Sequence, residues 1–96
     1  MKISYDENKR QKVLEDRGLD LANAGQVFEG FYLSRADPKH SDVEPRTIKV
    51  GMLGNEIVVL LVWTPRNGER RIITMWKANE KERERYFAER ERLRRG

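Results

Sequence analysis

The chain has 96 residues, enough for one small domain, and 38% of them are charged, with a net charge of +4 at neutral pH. It has no cysteine and a single histidine, which excludes a disulfide framework, a thiolate metal site and a multi-histidine metal site. The first ten residues lack the apolar core of a signal peptide, and the longest apolar run, 57–63, is too short to cross a bilayer, so we expect a cytoplasmic protein with no membrane partner.

The first thirty residues predict a short strand followed by two helices. Residues 2–5 alternate between apolar and polar, as in an edge strand. Asp6 is placed as the N-cap of a first helix, which Gly18 ends in the left-handed conformation. Asp20 is the N-cap of a second, shorter helix with one apolar face, and Gly30 ends it.

From residue 31 onwards the pattern is typical of strands. Residues 31–35 favour a strand, and residues 36–45 form a polar loop with two prolines. The stretch 46–52 alternates, and 56–64 contains a run that is apolar on both faces, which indicates a central strand covered on both sides. Residues 69–76 alternate again, as a fourth strand of this series.

The last stretch of the chain predicts a charged helix. Asn79 and Glu82 form a capping-box pattern at its start. The helix has few apolar residues, so we expect its turns beyond about Arg90 to fray unless a partner orders them. The whole chain, residues 1–96, is then one α+β domain with the order β-α-α-β-β-β-β-α and a mostly antiparallel sheet.

The positive charge is concentrated at the C-terminal end. Residues 77–96 contain eight Lys or Arg against five Glu, whereas the first 76 residues contain twelve against eleven acidic residues. This distribution indicates an anionic partner such as nucleic acid or an acidic protein. A charged helix that serves only solubility is the alternative.

Several segments resemble one protein family. They are YDENKR, GLDLANAGQVFEG, DPKHSDVEPR and RIITMWKANEKERERY, and together they extend over about residues 1–87. These segments are similar to the BrnT toxins, ribonuclease toxins of type II toxin–antitoxin systems with a RelE-like fold. Where the family commonly reads Ser-Ala-Arg-Lys-Ala, this chain has TMWKA at 74–78, so a tryptophan replaces an arginine.

The resemblance implies a function and its partners. The protein would be a metal-independent endoribonuclease, without a cofactor, that inhibits translation and growth. A cognate BrnA-like antitoxin would neutralise it, and the complex would bind operator DNA only through the antitoxin. Two other hypotheses stay open: a non-catalytic basic module that binds nucleic acid or a protein partner, and a structural subunit that is stable only in a complex.

The family pattern and the chemistry of RNA cleavage single out candidate catalytic residues. Attack of the 2′-OH on the adjacent phosphate needs a base, an acid and cations that stabilise the extra negative charge. A histidine titrates near neutral pH, and a glutamate four residues later can orient it or act as the base. Arg71 and Lys77, in and at the end of the last strand, project from one side if that strand is regular. The candidates are His40, Glu44, Arg46, Arg71 and Lys77.

The C-terminal region supplies the predicted binding residues. The predicted RNA contacts are Arg83, Tyr86 and Trp76, and the predicted antitoxin contacts are Tyr86, Phe87 and Leu93. Several candidates have a purely structural alternative. Tyr86 could lie in the core and Trp76 could serve packing alone. Glu44 and Arg46 could form a surface ion pair, and His40 could be an exposed loop histidine without a role.

Overall fold

The computed structural model describes residues 2–37 and 44–95 and has the predicted α+β architecture. The strands and helices follow the predicted order, with a 3₁₀ helix in place of the second α-helix. Along the chain they are β1 (Ile3–Tyr5), α1 (Glu7–Arg17), the 3₁₀ helix (Leu21–Phe28), β2 (Tyr32–Ala36), β3 (Thr47–Leu53), β4 (Ile57–Arg66), β5 (Glu69–Lys77) and α2 (Glu80–Arg95).

The five strands form one sheet in the order β1-β5-β4-β3-β2. Strand β1 pairs with β5 in parallel, and the other neighbours are antiparallel. Residues 58–62 of β4 are all buried, so the prediction of a central strand covered on both sides is confirmed. Val59, Leu61 and Trp63 face α1 and the 3₁₀ helix, and we call this side the hairpin face. The other side, with Leu60 and Thr64, is only partly covered by α2, which shares a cavity with Leu60, and we call it the open face.

Two aspartates fix the helices that cover the hairpin face. The Asn8 N–H donates to Asp6 Oδ1 over 2.8 Å, and Gly18, with a φ of 68°, ends α1. Asp20 accepts from the N–H of Ala22 over 2.9 Å and so caps the 3₁₀ helix. These caps match the sequence prediction because each depends only on neighbouring residues.

Gly51 in β3 lets the 3₁₀ helix approach the sheet closely. A Cβ atom at this position would lie 2.9 Å from Cγ1 of Val27. Because real side chains do not tolerate such a distance, any larger residue here would push the 3₁₀ helix away from the core.

A bulge in β5 changes which residues share a face. Val62 pairs with Thr74, but the next residue of β4 pairs with Ile72, so Ile73 is the extra residue. Arg71 consequently lies opposite Thr64 on the open face, whereas Lys77 lies opposite Val59, a hairpin-face residue. The prediction that Arg71 and Lys77 project from one side of a regular strand is therefore wrong, because the bulge shifts the alternation by one residue.

The second α-helix starts with the predicted capping box and is attached by one buried tyrosine. Asn79 and Glu82 exchange backbone N–H to side-chain hydrogen bonds of 2.8 Å each, which confirms the box. Tyr86 is only 1% exposed, and its hydroxyl donates to the carbonyl of Phe31 over 2.9 Å. None of the helices in the described part of the chain is long and apolar enough to span a membrane.

We expect Asp20 to stabilise the fold in a pH-dependent way. The hydrogen bonds from Arg10, of 2.8 and 3.1 Å, are the main cause of its lowered pKa, and the bond from Ala22 adds to them. A lowered folded-state pKa stabilises the protein above the ordinary pKa of 3.8, and this contribution is lost as the pH falls through the folded value. Asp20→Asn should therefore lower stability by about 1 kcal/mol at pH 7.

The control is Asp20→Ala, which also removes the cap and should cost about 1 kcal/mol more. Thermal unfolding between pH 3 and pH 7 measures both effects. A difference between wild type and Asp20→Asn that grows below pH 4 would contradict this assignment.

Candidate functional site

Two hydrogen bonds hold residues 44–46 against the sheet. The N–H of Asp37 donates to the carbonyl of Arg46 over 2.9 Å, which joins the two ends of the β2–β3 connection. The hydroxyl of Thr64, a fully buried residue of β4, donates to the carbonyl of Pro45 over 2.6 Å. Glu44 and Arg46 are thus placed at the end of the open face by backbone contacts.

Glu44 is held by two arginines. Arg66 Nη2 donates to Oε1 and Oε2 of Glu44 over 2.8 and 3.1 Å, and Arg46 Nη2 lies 3.6 Å from Oε1. The hydrogen bond from Arg66 is the largest cause of a lowered pKa for Glu44, and the charges of both arginines add to it. Glu44 is therefore a carboxylate at neutral pH and balances only one of the two guanidinium charges.

Arg71 completes the group from the neighbouring strand. It pairs with Thr64 and lines a cavity of about 290 Å³ together with Lys9 and Arg66. Arg66 thus contacts Glu44 and also borders the cavity that Arg71 lines. We call Glu44, Arg46, Arg66 and Arg71 the arginine cluster, and its guanidinium groups are suited to phosphate. Asp6 lines the same cavity, and Glu69 is the cross-strand partner of Arg66, so carboxylates lie beside these cations.

The segment PRNG at 65–68 predicts a four-residue hairpin loop, which hides the role of Arg66. In the structure the turn is only Asn67 and Gly68, which have φ angles of 55° and 76°. Arg66 still belongs to β4 and pairs with Glu69. The Asn-Gly pair is the typical signal for such a two-residue turn, and it would have placed Arg66 in the strand.

Arg46 also has an unsatisfied donor. Its Nε atom is buried and has no hydrogen-bond partner in the described ranges 2–37 and 44–95. Leaving a buried charged donor unpaired is costly. An anion bound beside Glu44 would supply the missing acceptor if the guanidinium turned towards it.

Lys77 and Arg83 lie at the other end of the sheet. They line a cavity of about 330 Å³ with Phe87. Six residues of extended chain separate Lys77 from Arg71, which corresponds to roughly 20 Å. Trp76, the neighbour of Lys77 in β5, lies opposite Leu60 on the open face and is half-buried. The structure therefore does not bring Lys77 together with Glu44, Arg46 and Arg71.

The aromatic residues of α2 differ in their accessibility. Tyr86 is buried, so in this conformation its ring is open neither to a base nor to an antitoxin, and the alternative of a core tyrosine is the one that fits. Phe87 is half-buried beneath the guanidinium of Arg90, 4.8 Å from its ring centroid. Leu93 is 57% exposed and is the most accessible large apolar residue of the helix.

His40 lies outside the described residues. The two ends of its loop, Asp37 and Glu44, lie beside the arginine cluster, so a role there stays a prediction. Within the described ranges, no group of three or more His, Asp or Glu side chains is arranged to hold a metal ion.

Comparisons with known proteins agree on one family. The model of the family described as "Ribonuclease toxin, BrnT, of type II toxin-antitoxin system" matches residues 5–82. The crystal structure of the Brucella abortus ribonuclease toxin BrnT superimposes with a TM-score of 0.63 at 26% identity, over 83% of this chain and 99% of that one. No curated protein sequence matches. Because the family model extends over most of its length, the chain belongs to the BrnT family of ribonuclease toxins of type II toxin–antitoxin systems.

Proposed function

We propose that this chain is an endoribonuclease toxin that cleaves RNA without a metal ion at the arginine cluster. Cleavage of cellular RNA would inhibit translation and growth until a cognate antitoxin binds. The observation that carries the proposal is the convergence of Glu44, Arg46, Arg66 and Arg71 at the end of the open face, where the loop with His40 begins and ends. The sheet with its helical hairpin is in keeping with a RelE-like fold.

The chemistry divides between cations and proton carriers. The 2′-oxygen attacks the adjacent phosphorus and gives its proton to a base, and the leaving 5′-oxygen receives a proton from an acid. The products are a 2′,3′-cyclic phosphate and a 5′-hydroxyl. Arg46 and Arg71 would stabilise the extra charge on the phosphate in the transition state. His40 is the proposed proton carrier, because its ordinary pKa lies near neutrality.

Glu44 is better suited to hold the arginines than to take a proton. Its lowered pKa makes it a weak base at neutral pH. Both of its oxygens accept from Nη2 of Arg66, which holds that guanidinium in place. We therefore assign Glu44 and Arg66 to positioning and leave the contact with the reacting phosphate to Arg46 and Arg71.

A second candidate function is a module that binds RNA without cleaving it. The arginine cluster favours this reading in one respect: Glu44, its only acidic group, has a lowered pKa and is tied to Arg66. Such a site binds phosphate strongly whether or not a proton carrier is in place.

Incubation of purified protein with RNA in excess EDTA separates the two functions. We expect fragments that end in a 2′,3′-cyclic phosphate, and growth arrest when the protein is induced alone in bacteria. Stable binding of RNA that stays intact, together with normal growth, would establish the non-catalytic module instead.

The proposed antitoxin is a BrnA-like protein that binds α2 and extends onto the open face. It would carry the DNA-binding part that recognises the operator. To shield the arginine cluster, its bound segment must run from α2 along the open face to the end of β4. A cavity beside α2 with an apolar floor of Leu33, Val50 and Leu60 lies on that path.

Leu93→Asp is expected to weaken antitoxin binding at least about tenfold, because it places a charge on the most accessible apolar position of α2. RNA cleavage should stay unchanged, since Leu93 is an exposed residue of the last turns of α2 and does not belong to the arginine cluster. Titration calorimetry with the antitoxin and a cleavage assay on the same preparation measure both. Wild-type antitoxin affinity in Leu93→Asp would place the interface elsewhere.

A further inference from the structure

The hairpin face carries a second group of cations, and it is interleaved with aromatic rings. The ring of Phe28 packs edge-on against Tyr32 at 6.2 Å and against Trp63 at 5.7 Å between centroids. Lys49 Nζ lies 4.0 Å from the centroid of Tyr32, and the guanidinium of Arg70 lies 4.1 Å from that of Phe28. We call these five residues the aromatic cluster.

Among the described residues, Lys49 is a cation without a negative partner. The residue is only 8% exposed, and it lies on the hairpin face opposite Leu61. Over the described ranges, its ammonium makes no hydrogen bond or ion pair and contacts only the ring of Tyr32. A cation–ring contact is worth roughly 1–2 kcal/mol. The ammonium itself keeps contact with solvent, because it is not among the buried polar atoms that lack a partner, and it is therefore open to a phosphate group.

Arg70 adds a second uncompensated charge at the other side of the rings. It stacks on Phe28 and lies 5.8 Å from the centroid of Trp63, and no carboxylate of the described residues pairs with it. The Nε of Arg70 and the Nε1 of Trp63 are buried without an acceptor. Their positive hydrogens are therefore balanced by nothing nearby in the described part of the protein.

We propose that the aromatic cluster binds single-stranded RNA that flanks the cleavage site, with Lys49 and Arg70 on backbone phosphates and Tyr32 against a base. Cations interleaved with rings are the usual means of binding single strands without sequence readout. Tyr32, 37% exposed, is the most accessible of the three rings in the cluster. The other rings pack on one another and offer too little apolar surface for a protein partner.

The position of the cluster fits a substrate that also reaches the arginine cluster. Trp63 and Thr64 are consecutive residues of β4, with Trp63 on the hairpin face and Thr64 on the open face. Both lie within three residues of Arg66, after which the chain turns at Asn67 and Gly68. Tyr32 pairs with Gly51, which lies level with Val59 and Lys77. An RNA strand that passes over this end of the sheet therefore meets Trp63 and Arg70 first and must run along the hairpin face to reach Tyr32.

This inference rests on the proposed function, and binding of an uncleavable RNA tests it separately. A fluorescent 2′-O-methyl oligonucleotide lacks the attacking hydroxyl, so its anisotropy reports affinity alone. We expect Lys49→Met and Arg70→Met each to weaken binding about fivefold at 0.1 M salt and to reduce the salt slope by about 0.7. The matched control is Lys12→Met, which removes the same charge from an exposed position on α1.

The ring is tested in the same assay. Tyr32→Ala should weaken binding at least about fivefold, whereas Tyr32→Phe keeps the stacking surface and should bind like wild type. Thermal unfolding of each variant checks that the fold is intact. Wild-type affinity and salt slope in both Lys49→Met and Arg70→Met would overturn the inference.

The outcome can be told apart from failure of the proposed function. If Arg46→Ala abolishes cleavage while every aromatic-cluster variant binds the oligonucleotide normally, the ribonuclease proposal stands and the flanking site is wrong. If the variants lose affinity for the antitoxin and not for RNA, the cluster is a protein interface and the inference is likewise wrong.

Discussion

Arg46→Ala and Arg71→Ala are each expected to lower RNA cleavage at least about a hundredfold, the usual cost of removing one group that stabilises developing charge in the transition state. Lys77→Ala should lower it by no more than about fivefold, which corresponds to the loss of one phosphate contact. The physical reason is the bulge at Ile73 and the length of β5. They place Lys77 roughly 20 Å from Arg71 and on the other face of the sheet.

Initial rates on a fluorescent RNA over a range of concentrations separate the two kinds of loss. We expect kcat to fall in the Arg46 and Arg71 variants, and KM to rise in Lys77→Ala. Arg92→Ala is the control, because Arg92 is an exposed arginine of α2 in an ion pair with Glu89. Equal losses of kcat in Lys77→Ala and Arg71→Ala would show that both act on the same phosphate, against the placement described here.

Tyr86→Ala is expected to destabilise the protein by about 3–5 kcal/mol, as is usual when a large buried aromatic residue is truncated. The structure gives the reason: Tyr86 is buried between Phe31 and Phe87, at ring distances of 5.4 and 5.3 Å, and its hydroxyl bonds the carbonyl of Phe31. For a chain of this size the melting temperature should fall by roughly 12 °C or more.

Tyr86→Phe isolates the hydroxyl and should cost about 1 kcal/mol. Leu93→Ala is the control on the same helix; its exposed side chain predicts a change within about 0.5 kcal/mol. Thermal unfolding followed by circular dichroism measures all three variants. If Tyr86→Ala melts like Leu93→Ala, the helix is held to the sheet by other contacts.

The features that the sequence predicted correctly are those fixed by near neighbours. Asp6, Gly18, Asp20 and the Asn79–Glu82 box act within one turn of helix, so their local patterns were sufficient. The central strand could be predicted because its apolar run is uninterrupted. Successive side chains of a strand point to opposite faces, so both faces of this strand are apolar. The placement of Glu44 beside Arg46 also follows from their spacing of two residues.

The remaining features depend on pairing between distant segments. The bulge at Ile73 arises from the register of β5 against β4, which no local pattern of alternation contains. The contact of Arg66 with Glu44 joins residues 22 positions apart. Tyr86 belongs to a helix that is polar nearly all round, so its burial is set by Phe31 and not by a repeat within the helix.

The hydrogen bond between Asp37 and Arg46 determines how well the protein tolerates insertions between these two residues. It closes the β2–β3 hairpin before the segment 38–43 begins, and the contact of Thr64 with Pro45 secures one end a second time. Doubling the length of a closed loop costs only about 0.6 kcal/mol in closure entropy. We therefore expect residues inserted between 38 and 43 to cost little stability and to leave Arg46 in place, which thermal unfolding of an insertion variant measures.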